Sequence, residues 1–564
     1  MRKKWEYSTV DNEKVEEIMS KFGVTRLLAT VLVNRGIIDD EKIKVFLNPT
    51  RNNFHDPFHM PDMNKAVDRI TRAIQTQEKV IIYGDYDVDG ITSITVLKKF
   101  LKESCGLDVG YYIPNRLNEG YGLNKKAIDK IKEQGYSLII TVDCGISAID
   151  EIQYANELGL ETIITDHHEP LDILPNALAV VDLKRKDNNT YPFDSLAGCG
   201  VAFKLCQALG IKLGIKENEY LKYLDIVCIG TISDIVPLVD ENRVSAKLGL
   251  KLVEVTKNPG LKALLNTIGY KEINSNTISF GIAPRINACG RMGYEEEALK
   301  LFLTDNILEA NEITKKLNTY NSQRQQIEKN IYDEAIKMIE KDNSDRKSIV
   351  LGNNNWHHGV IGIVSSKITE MYYKPSILVC FDGEDGKGSG RSIAGFDLHG
   401  ALVNLSKYLD KFGGHEMAVG LSLKKSEFNR FRDAFEEYVK SQNIEELMPI
   451  IEIDKQIDIR DVDINTVKQL NILEPFGEAN RRPIFAYKNL RVDSIRALSD
   501  GKHLKMTLKD NGTIINAIGF NLGHLSREYL IGDKIDVVGN LEINSFNGKD
   551  FVQINIKDIM KSLN

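Results

Sequence analysis

Three aspartates at alternate positions follow a short apolar run early in the chain. Asp85, Asp87 and Asp89 come directly after VIIYG, which predicts a buried β-strand, and Gly90 follows them. Open α/β sheets bind ligands at the carboxyl ends of their strands, where such side chains converge. A solvated acidic loop or a calcium turn is the alternative. An EF-hand loop, however, needs flanking helices and a glutamate at its twelfth position, so a metal site at a strand end is favoured.

Three further segments place carboxylates or histidines after apolar runs. Asp143 ends SLIITVD, the triplet Asp166-His167-His168 ends the run ETIIT, and Asp234 lies in GTISDIVPL. Taken singly, Asp143 could be a helix cap, and the two histidines could be core residues with satisfied partners. Taken together, the pattern predicts that four strand ends of one sheet carry these groups.

The expected chemistry is that of hard divalent ions. An oxygen-rich set with one or two imidazoles suits Mn²⁺ or Mg²⁺ better than a thiolate-binding metal. Two such ions about 3.5–4 Å apart clamp the attacking and leaving oxygens of an in-line phosphoryl displacement. Packed carboxylates would also repel one another without cations between them.

The elements that would position these groups alternate between strand and helix from about residue 65 to 240, which predicts βαβ units and a parallel sheet. Residues 306–342 form one long charged helical pattern without Gly or Pro, typical of a helix that bridges two domains. A second α/β region follows. After about residue 450, short strands with the turn sequences DNG and FNG predict a small OB-type β-barrel.

The fold class is therefore α/β with a C-terminal OB-like β-barrel. The expected domains are an N-terminal helical segment, a catalytic domain, a connecting region with the long helix, an associated α/β domain and the barrel, at residues 1–50, 51–260, 261–342, 343–445 and 446–564.

Composition narrows the class of protein without deciding its partner. The net charge of −7 argues against passive coating of duplex DNA but allows a local basic groove beside a metal-loaded acidic centre. The seven cysteines are scattered, with no C-x-x-C pair, as expected for reduced thiols in a cytoplasmic protein. No signal peptide or membrane span is predicted.

The motifs YGDYDVDG, TVDCG, TDHH and TISDIVPL resemble, in order and rough spacing, those of the DHH family of phosphoesterases. Further segments, from PNRLNEGYGL through APRINACGRMG, GSGRS and FGGHEMAVG to LEPFGEAN, resemble the RecJ exonuclease branch of that family from about residue 50 nearly to the end. The resemblance implies a 5′→3′ exonuclease that releases 5′-mononucleotides from single-stranded DNA with two Mn²⁺ or Mg²⁺ ions. A role in DNA repair and recombination follows from it, as do a single-strand-binding protein and a RecQ-type helicase as partners.

The resemblance also implies roles for particular residues. The metal ligands would be Asp87, Asp89, Asp143, His167 and Asp234, with Asp143 bridging. Asp85 would orient ligands, and His168 would contact the scissile phosphate or protonate the leaving group. Arg116, Ser389 and Arg391 would hold the 5′-terminal phosphate, and substrate contacts are also expected from Arg285, Arg291 and His415.

Two positions depart from the family pattern. Tyr83 stands near the place where related phosphatases carry a histidine, and Asp182-Leu183 replaces an expected Asn-Pro. Two alternative functions stay open. One is cleavage of very short RNA or cyclic dinucleotides by a member of the same superfamily, and the other is a catalytically silent nucleic-acid-binding scaffold. The chain length and the barrel disfavour the first, and the intact aspartates and histidines disfavour the second.

Overall fold

The computed structural model describes residues 3–270, 272–342, 345–444, 447–546 and 548–562. The chain forms two compact units, one of residues 51–447 and one that combines 1–50 with 448–564. Of the helices in the described ranges, none is both long enough and apolar enough to cross a bilayer. The N-terminal segment contains β1 (Lys4–Tyr7), α1 (Asn12–Phe22), α2 (Arg26–Asn34) and α3 (Asp40–Leu47).

The first part of the larger unit alternates strands and helices and then becomes helical. Its elements are α4 (Met63–Thr76), β2 (Val80–Gly84), α5 (Val88–Cys105), β3 (Gly110–Tyr112), α6 (Lys125–Glu133), β4 (Leu138–Val142), α7 (Ile149–Glu157), β5 (Glu161–Thr165), β6 (Ala179–Val181), α8 (Gly198–Leu213), α9 (Asn218–Leu221), α10 (Leu224–Ser233), α11 (Asp240–Glu254), α12 (Pro259–Ile268), a π-helix (Thr277–Ile282), α13 (Ala283–Met292), α14 (Glu295–Leu303) and α15 (Ile307–Lys341).

The predicted parallel sheet is confirmed, with strand order β3-β2-β4-β5-β6. Strands β2 and β4 are buried along their whole length, as expected for a parallel sheet covered on both faces. Apolar side chains of β2 and β4 enter two different core clusters, one on each face of the sheet. The carboxyl ends of the strands are therefore left as the open edge of this domain.

The second part of the larger unit is a mixed α/β layer. Its elements are β7 (Ile349–Asn353), α16 (His358–Tyr372), β8 (Ser376–Asp382), β9 (Asp385–Arg391), α17 (Leu398–Asn404), β10 (Lys411–His415), β11 (Ala418–Lys424) and α18 (Phe428–Ser441). The sheet order is β10-β11-β9-β8-β7, with only β7 and β8 parallel.

Helix α15 joins the two parts as one continuous helix of 35 residues. The side chain of Asn306 caps it by accepting hydrogen bonds from the Leu308 and Glu309 amides. Ala310 and Leu317 pack into the core of the first part, whereas Ile331 and Ala335 pack against the second sheet. The helix thus spans both hydrophobic cores of the larger unit.

The smaller unit contains a closed barrel, which confirms the predicted OB-like fold. Its C-terminal elements are β12 (Ile450–Ile453), β13 (Lys455–Gln456), α19 (Ile464–Leu470), β14 (Phe485–Leu498), β15 (His503–Asp510), β16 (Thr513–Gly519), β17 (Lys534–Phe546) and β18 (Lys549–Lys561). The strand order is β13-β14-β15-β16-β18-β17, and pairing of β14 with β17 closes the barrel. Helices α1–α3 share the barrel's hydrophobic core, and β1 pairs with β12.

A buried ion pair between helices α8 and α11 also contacts the backbone at the start of the larger unit. The Lys204 ammonium on α8 lies 2.8 Å from the Glu241 carboxylate on α11, and both side chains are 1% exposed. The His55 backbone amide and the Tyr191 hydroxyl donate to the same carboxylate, and the Lys204 ammonium donates to the His55 carbonyl. Every member of this network has a hydrogen-bond partner.

We expect Glu241→Gln to lower the free energy of unfolding of this unit by about 3–5 kcal/mol, because it leaves the Lys204 ammonium buried without a counter-charge. Urea unfolding measures the change. Lys212→Ala is the matched control, since this residue of α8 forms an exposed pair with Asp68 and should cost less than about 1 kcal/mol. Equal losses in the two variants would contradict the prediction.

Candidate active site

Three of the predicted polar segments follow adjacent strands of the parallel sheet. Asp85 comes after β2, Asp143 after β4, and the triplet Asp166-His167-His168 after β5. The Asp143 backbone is left-handed, with φ 58°, which costs a non-glycine residue about 1–3 kcal/mol. Helix α8 begins directly against this carboxylate, since a Cβ at Gly198 would lie 2.7 Å from the Asp143 Cβ.

Asp87 and Asp89 lie at the start of α5. The Gly90 amide donates to the Asp87 side chain, which caps the helix. Asp89 is 1% exposed and accepts hydrogen bonds from the Gly198 amide at 2.6 Å and the Cys199 amide at 2.9 Å. These donors belong to the first turn of α8, whose N-terminal dipole stabilises a carboxylate.

The prediction that Asp234 ends a strand is wrong. Asp234 follows helix α10 as its C-cap residue. The run LDIVCIGTIS is almost entirely buried, and such a run lacks the periodicity that separates a helix from a strand. Helix α10 packs closely on α5, where a Cβ at Gly230 would lie 2.8 Å from the Asp89 carboxylate. This close approach brings Asp234 beside the strand-end residues.

The structure brings all the predicted metal ligands together. His167 Nε2 lies 3.1 Å from Asp143 Oδ1, 3.6 Å from Asp234 Oδ2 and 3.7 Å from Asp89 Oδ2. Three overlapping groups each have ligand atoms within 4.8 Å of one another, namely Asp143, His167 and His168; Asp89, His167 and Asp234; and Asp85, Asp87 and Asp143.

Burial and mutual repulsion dominate the electrostatics of this centre. Desolvation and neighbouring carboxylates raise the pKa of Asp85 and of Asp143 well above the usual range and raise the pKa of Asp87 as well. The same causes raise the pKa of Asp234 to about 9. Burial lowers the pKa of His167, which favours the neutral imidazole that ligates metals.

The donor set fits divalent cations. Asp85 Oδ1 and His167 Nε2 are buried, and neither has a hydrogen-bond partner among the described residues. Buried polar atoms are ordinarily paired, so buried atoms left without a partner within a cluster of carboxylates indicate a site for positive charge. Carboxylate oxygens with an imidazole nitrogen are the ligands that Mn²⁺ and Mg²⁺ accept.

His168 is held differently from His167. Its Nδ1 lies 2.7 Å from Oδ1 of the buried Asp166, and the Tyr121 hydroxyl lies 3.3 Å from the same nitrogen. Burial opposes protonation of His168, but the hydrogen bond and charge of Asp166, helped by Asp234 and Asp89, raise its pKa to about 9. The pairing fixes the ring through Nδ1. Sequence reasoning missed Tyr121, although it lies within PNRLNEGYGL.

The two departures from the family pattern have different surroundings. Tyr83 is fully buried, stacks on Tyr112 and donates a hydrogen bond to the Gly122 carbonyl, so its side chain is engaged by the loop after β3. Asp182 follows β6 and is fully buried, and burial raises its pKa to about 7. The carboxyl group after the next strand of the sheet is thus Asp182, which sequence analysis left without a role.

An arginine cluster lies next to the acidic centre. The Arg391 guanidinium donates to the Ser389 hydroxyl at 3.1 Å, Arg291 donates to the Gly359 carbonyl at 2.9 Å, and Arg116 lies over the Tyr86 ring. Burial and the charges of Arg116, Arg324 and Arg391 lower the pKa of Arg291 to about 9.

Within the described part of the chain, Arg116, Arg291 and Arg391 form no ion pair with a carboxylate, whereas Arg324 is paired with Glu328. Helix α16 also begins here, capped by His357, which accepts a hydrogen bond from the Gly359 amide. Unpaired guanidinium groups beside a helix N-terminus form an anion site.

Two further predicted substrate contacts differ in their surroundings. Arg285 donates to Asn318 on α15 and to the Gly281 carbonyl, both at 2.6 Å, so its guanidinium joins the π-helix to α15. His415 is exposed at the end of β10, where it pairs with Ala418 of β11, and Ala418 pairs in turn with Arg391.

The aromatic residues of the barrel fall into two classes. Phe485 and Tyr487 are fully buried in its core, whereas Phe520 is 50% exposed and packs edge-on against His503. The side chain of Phe546 lies outside the described residues.

Comparison with known proteins agrees with this architecture. The family models "DHH family, N-terminal domain", "DHHA1 domain" and "RecJ OB domain" match residues 79–231, 345–441 and 453–558. The chain is 41% identical to the single-stranded-DNA-specific exonuclease RecJ of Bacillus subtilis (strain 168), over 98% of this chain and 70% of that protein. It is 33% identical to RecJ of Escherichia coli (strain K12), over 88% of this chain and 90% of that protein.

A solved structure shows the same likeness. The crystal structure of RecJ from Thermus thermophilus in complex with Mn²⁺ matches all of this chain and 80% of that chain, with a TM-score of 0.85 and 29% identity. The fold and the carboxylate–histidine centre are those of a DHH phosphoesterase with its associated domain. The chain belongs to the RecJ family.

We expect Gly198→Ala to lower activity about 100-fold, because an added methyl group would displace Asp143 and misplacement by about 1 Å costs that much. Steady-state hydrolysis of single-stranded DNA measures the loss. Gly200→Ala is the matched control two residues along α8, where the nearest atom would be 3.4 Å away. Comparable losses in both variants would argue against this positional effect.

We expect the metal-free protein to lose stability as the pH rises from about 4 to 9, because raised carboxyl pKa values mean that the folded state binds more protons than the unfolded state. Divalent ions bind the ionised carboxylates, so the increase in Tm on adding Mn²⁺ should be larger at high pH. Thermal unfolding across this range tests it, with Asp234→Asn reducing the pH dependence. A metal-free Tm that rises steadily with pH would contradict the prediction.

Proposed function

We propose that this chain is a metal-dependent exonuclease that degrades single-stranded DNA from its 5′ end and releases 5′-mononucleotides. The proposal depends above all on one observation, an arginine cluster that has no carboxylate partner among the described residues and lies directly beside the carboxylate–histidine centre. The charge of Arg116 reaches both, acting on Arg291 and Arg391 on one side and on Asp85 on the other. A terminal phosphate bound by the arginines would leave the adjoining phosphodiester at the acidic centre.

Asp87, Asp89, Asp143, His167 and Asp234 would hold two divalent ions, Mn²⁺ or Mg²⁺. When bound, such ions lower the pKa of an attacking water and neutralise charge on the phosphate. The role of Asp85 would be to orient these ligands, since its carboxyl group is buried next to Asp87.

His168 supplies a proton at the scissile linkage. Asp166 holds its Nδ1 at 2.7 Å, which leaves Nε2 to donate to a phosphate oxygen or to the departing 3′-oxygen. Asp166 is itself fixed by the Ile146 and His167 backbone amides, at 2.9 and 2.8 Å. The imidazole therefore enters the reaction with its orientation already set.

Arg116, Ser389 and Arg391 would bind the 5′-terminal phosphate, with Arg391 able to contact two oxygens at once. Arg291 adds charge to the same pocket. Contacts of Arg285 and His415 with the strand are a secondary proposal, since Arg285 already donates to Asn318 and Gly281 and His415 lies on β10, two strands from Arg391.

We also propose a cytoplasmic location and a role in DNA repair and recombination. The seven cysteines are free thiols, five of them buried, which suits a reducing compartment. Cooperation with a single-strand-binding protein and a RecQ-type helicase rests on family resemblance alone.

The direct test is digestion of single-stranded DNA labelled at the 5′ or the 3′ end, with Mn²⁺ or Mg²⁺. We expect early release of the 5′ label as a mononucleotide, while the 3′-labelled strand shortens progressively. Asp143→Ala should reduce the rate by on the order of 1,000-fold or more. Asp172→Ala, at an exposed carboxylate paired with Lys186, is the control.

The outcomes separate the possible functions. Early release of the 3′ label would overturn the polarity, and hydrolysis of dinucleotides alone would indicate the short-oligonucleotide branch of the superfamily. Normal activity in Asp143→Ala would remove the catalytic assignment.

A further inference from the structure

Arg116, whose charge acts on both the acidic centre and the arginine cluster, lies in a loop without regular secondary structure. Arg116 belongs to the connection between β3 and α6, and its guanidinium group lies over the Tyr86 ring, 5.0 Å from the ring centre. A side chain with this freedom can select a phosphate only if the backbone beneath it is fixed. The contacts of the neighbouring residue, Asn115, supply that fixation.

Asn115 organises the loop with both its backbone and its side chain. Its carbonyl accepts from the Glu119 and Gly120 amides, and its side-chain oxygen accepts from the Leu117 and Asn118 amides at 3.2 and 3.0 Å. Its own amide donates to the Glu119 carboxylate at 2.7 Å. The remaining group, the Asn115 side-chain amide, is directed away from the loop.

That amide donates to the Glu295 carboxylate at 2.8 Å. Glu295 is 6% exposed and begins α14, and its second oxygen, Oε2, is buried with no hydrogen-bond partner among the described residues. A buried carboxylate with one unpaired oxygen is costly to maintain, which indicates that its contact with Asn115 serves a purpose beyond stability.

The same short segment also carries Arg291. Helix α13 ends just after Arg291, at Gly293 with φ 80°, and Glu295 follows two residues later. A Cβ at Gly293 would lie 3.3 Å from Leu117, so the turn packs against the loop itself. The Glu295–Asn115 hydrogen bond therefore connects the chain next to Arg291 with the chain next to Arg116.

We infer that Glu295 is a positioning residue for recognition of the 5′ end. It holds Asn115 so that Arg116 and Arg291, which come from separate segments, face the terminal phosphate together. This inference rests on the proposed reading of the 5′-phosphate by Arg116. Glu295 acts through its contact with Asn115, so its effect passes to the phosphate pocket by way of the loop.

The test compares single strands that carry a 5′-phosphate with the same strands that carry a 5′-hydroxyl. For Glu295→Ala we expect the KM for phosphorylated strands to rise about tenfold, the cost of losing one hydrogen bond to a charged group, with kcat nearly unchanged. The preference for phosphorylated strands should fall towards that of Arg116→Ala. Glu295→Gln keeps an oxygen for the Asn115 amide and should restore the preference.

Glu296→Ala is the matched control. It removes the same charge from the next position of α14, but Glu296 pairs with Lys300 on its own helix, so the preference should be unchanged. In a double-mutant cycle, the variant that combines Glu295→Ala with Arg116→Ala should lose no more of the preference for phosphorylated strands than Arg116→Ala alone. If Glu295→Ala fails to fold, Asn115→Ala removes the same hydrogen bond from the loop side.

The results distinguish the role of Glu295 from the proposed recognition of the 5′-phosphate on which it rests. A wild-type enzyme without any preference for a 5′-phosphate would overturn both. A wild-type preference that is lost in Arg116→Ala but kept in Glu295→Ala and Asn115→Ala would overturn the role of Glu295 alone. If Glu295→Ala lost activity equally on strands with a 5′-phosphate and with a 5′-hydroxyl, its role would be generally structural, and this result too would refute the inference.

Discussion

Mutual repulsion among buried carboxylates is the constraint around which the larger unit is built. Asp85, Asp87, Asp143 and Asp234 all have raised pKa values because burial and the other carboxylates disfavour their charged forms. Backbone amides offset part of this repulsion, since the first-turn amides of α8 bind Asp89 and the Gly90 amide binds Asp87. Divalent cations would offset most of the remainder, so metal binding and stability are coupled in this fold.

The acidic centre and the arginine cluster form one electrostatic system. Carboxylates dominate the first, guanidinium groups without a carboxylate partner among the described residues form the second, and the charge of Arg116 acts on both. A bound strand with its metal ions would satisfy the two together, since phosphates neutralise the arginines and cations neutralise the carboxylates. The acidic net charge of the whole chain is therefore compatible with binding a polyanion.

Packing between the two parts of the larger unit places the acidic centre and the arginine cluster side by side. Helix α15 packs into the core of the parallel sheet at one end and against the second sheet at the other. The Arg291 guanidinium donates across to the first turn of α16, and Gly359 leaves room for this contact, since a Cβ there would lie 2.5 Å from the Arg291 carbonyl. These close-packed contacts fix the first and second parts of the larger unit relative to each other.

Features encoded in local pattern could be predicted from the chain alone. Buried apolar runs indicated the parallel sheet, and an uninterrupted charged pattern placed the long helix within one residue of Ile307–Lys341 at each end. Features that depend on long-range packing could not. Asp234 follows an almost entirely buried helix whose sequence shows no helical periodicity, and Arg285 is hydrogen-bonded to Asn318. The Glu295–Asn115 contact joins residues 180 positions apart. Residue type shows which groups can do chemistry, but their distances are set by how buried surfaces pack, and that information is spread over the whole chain.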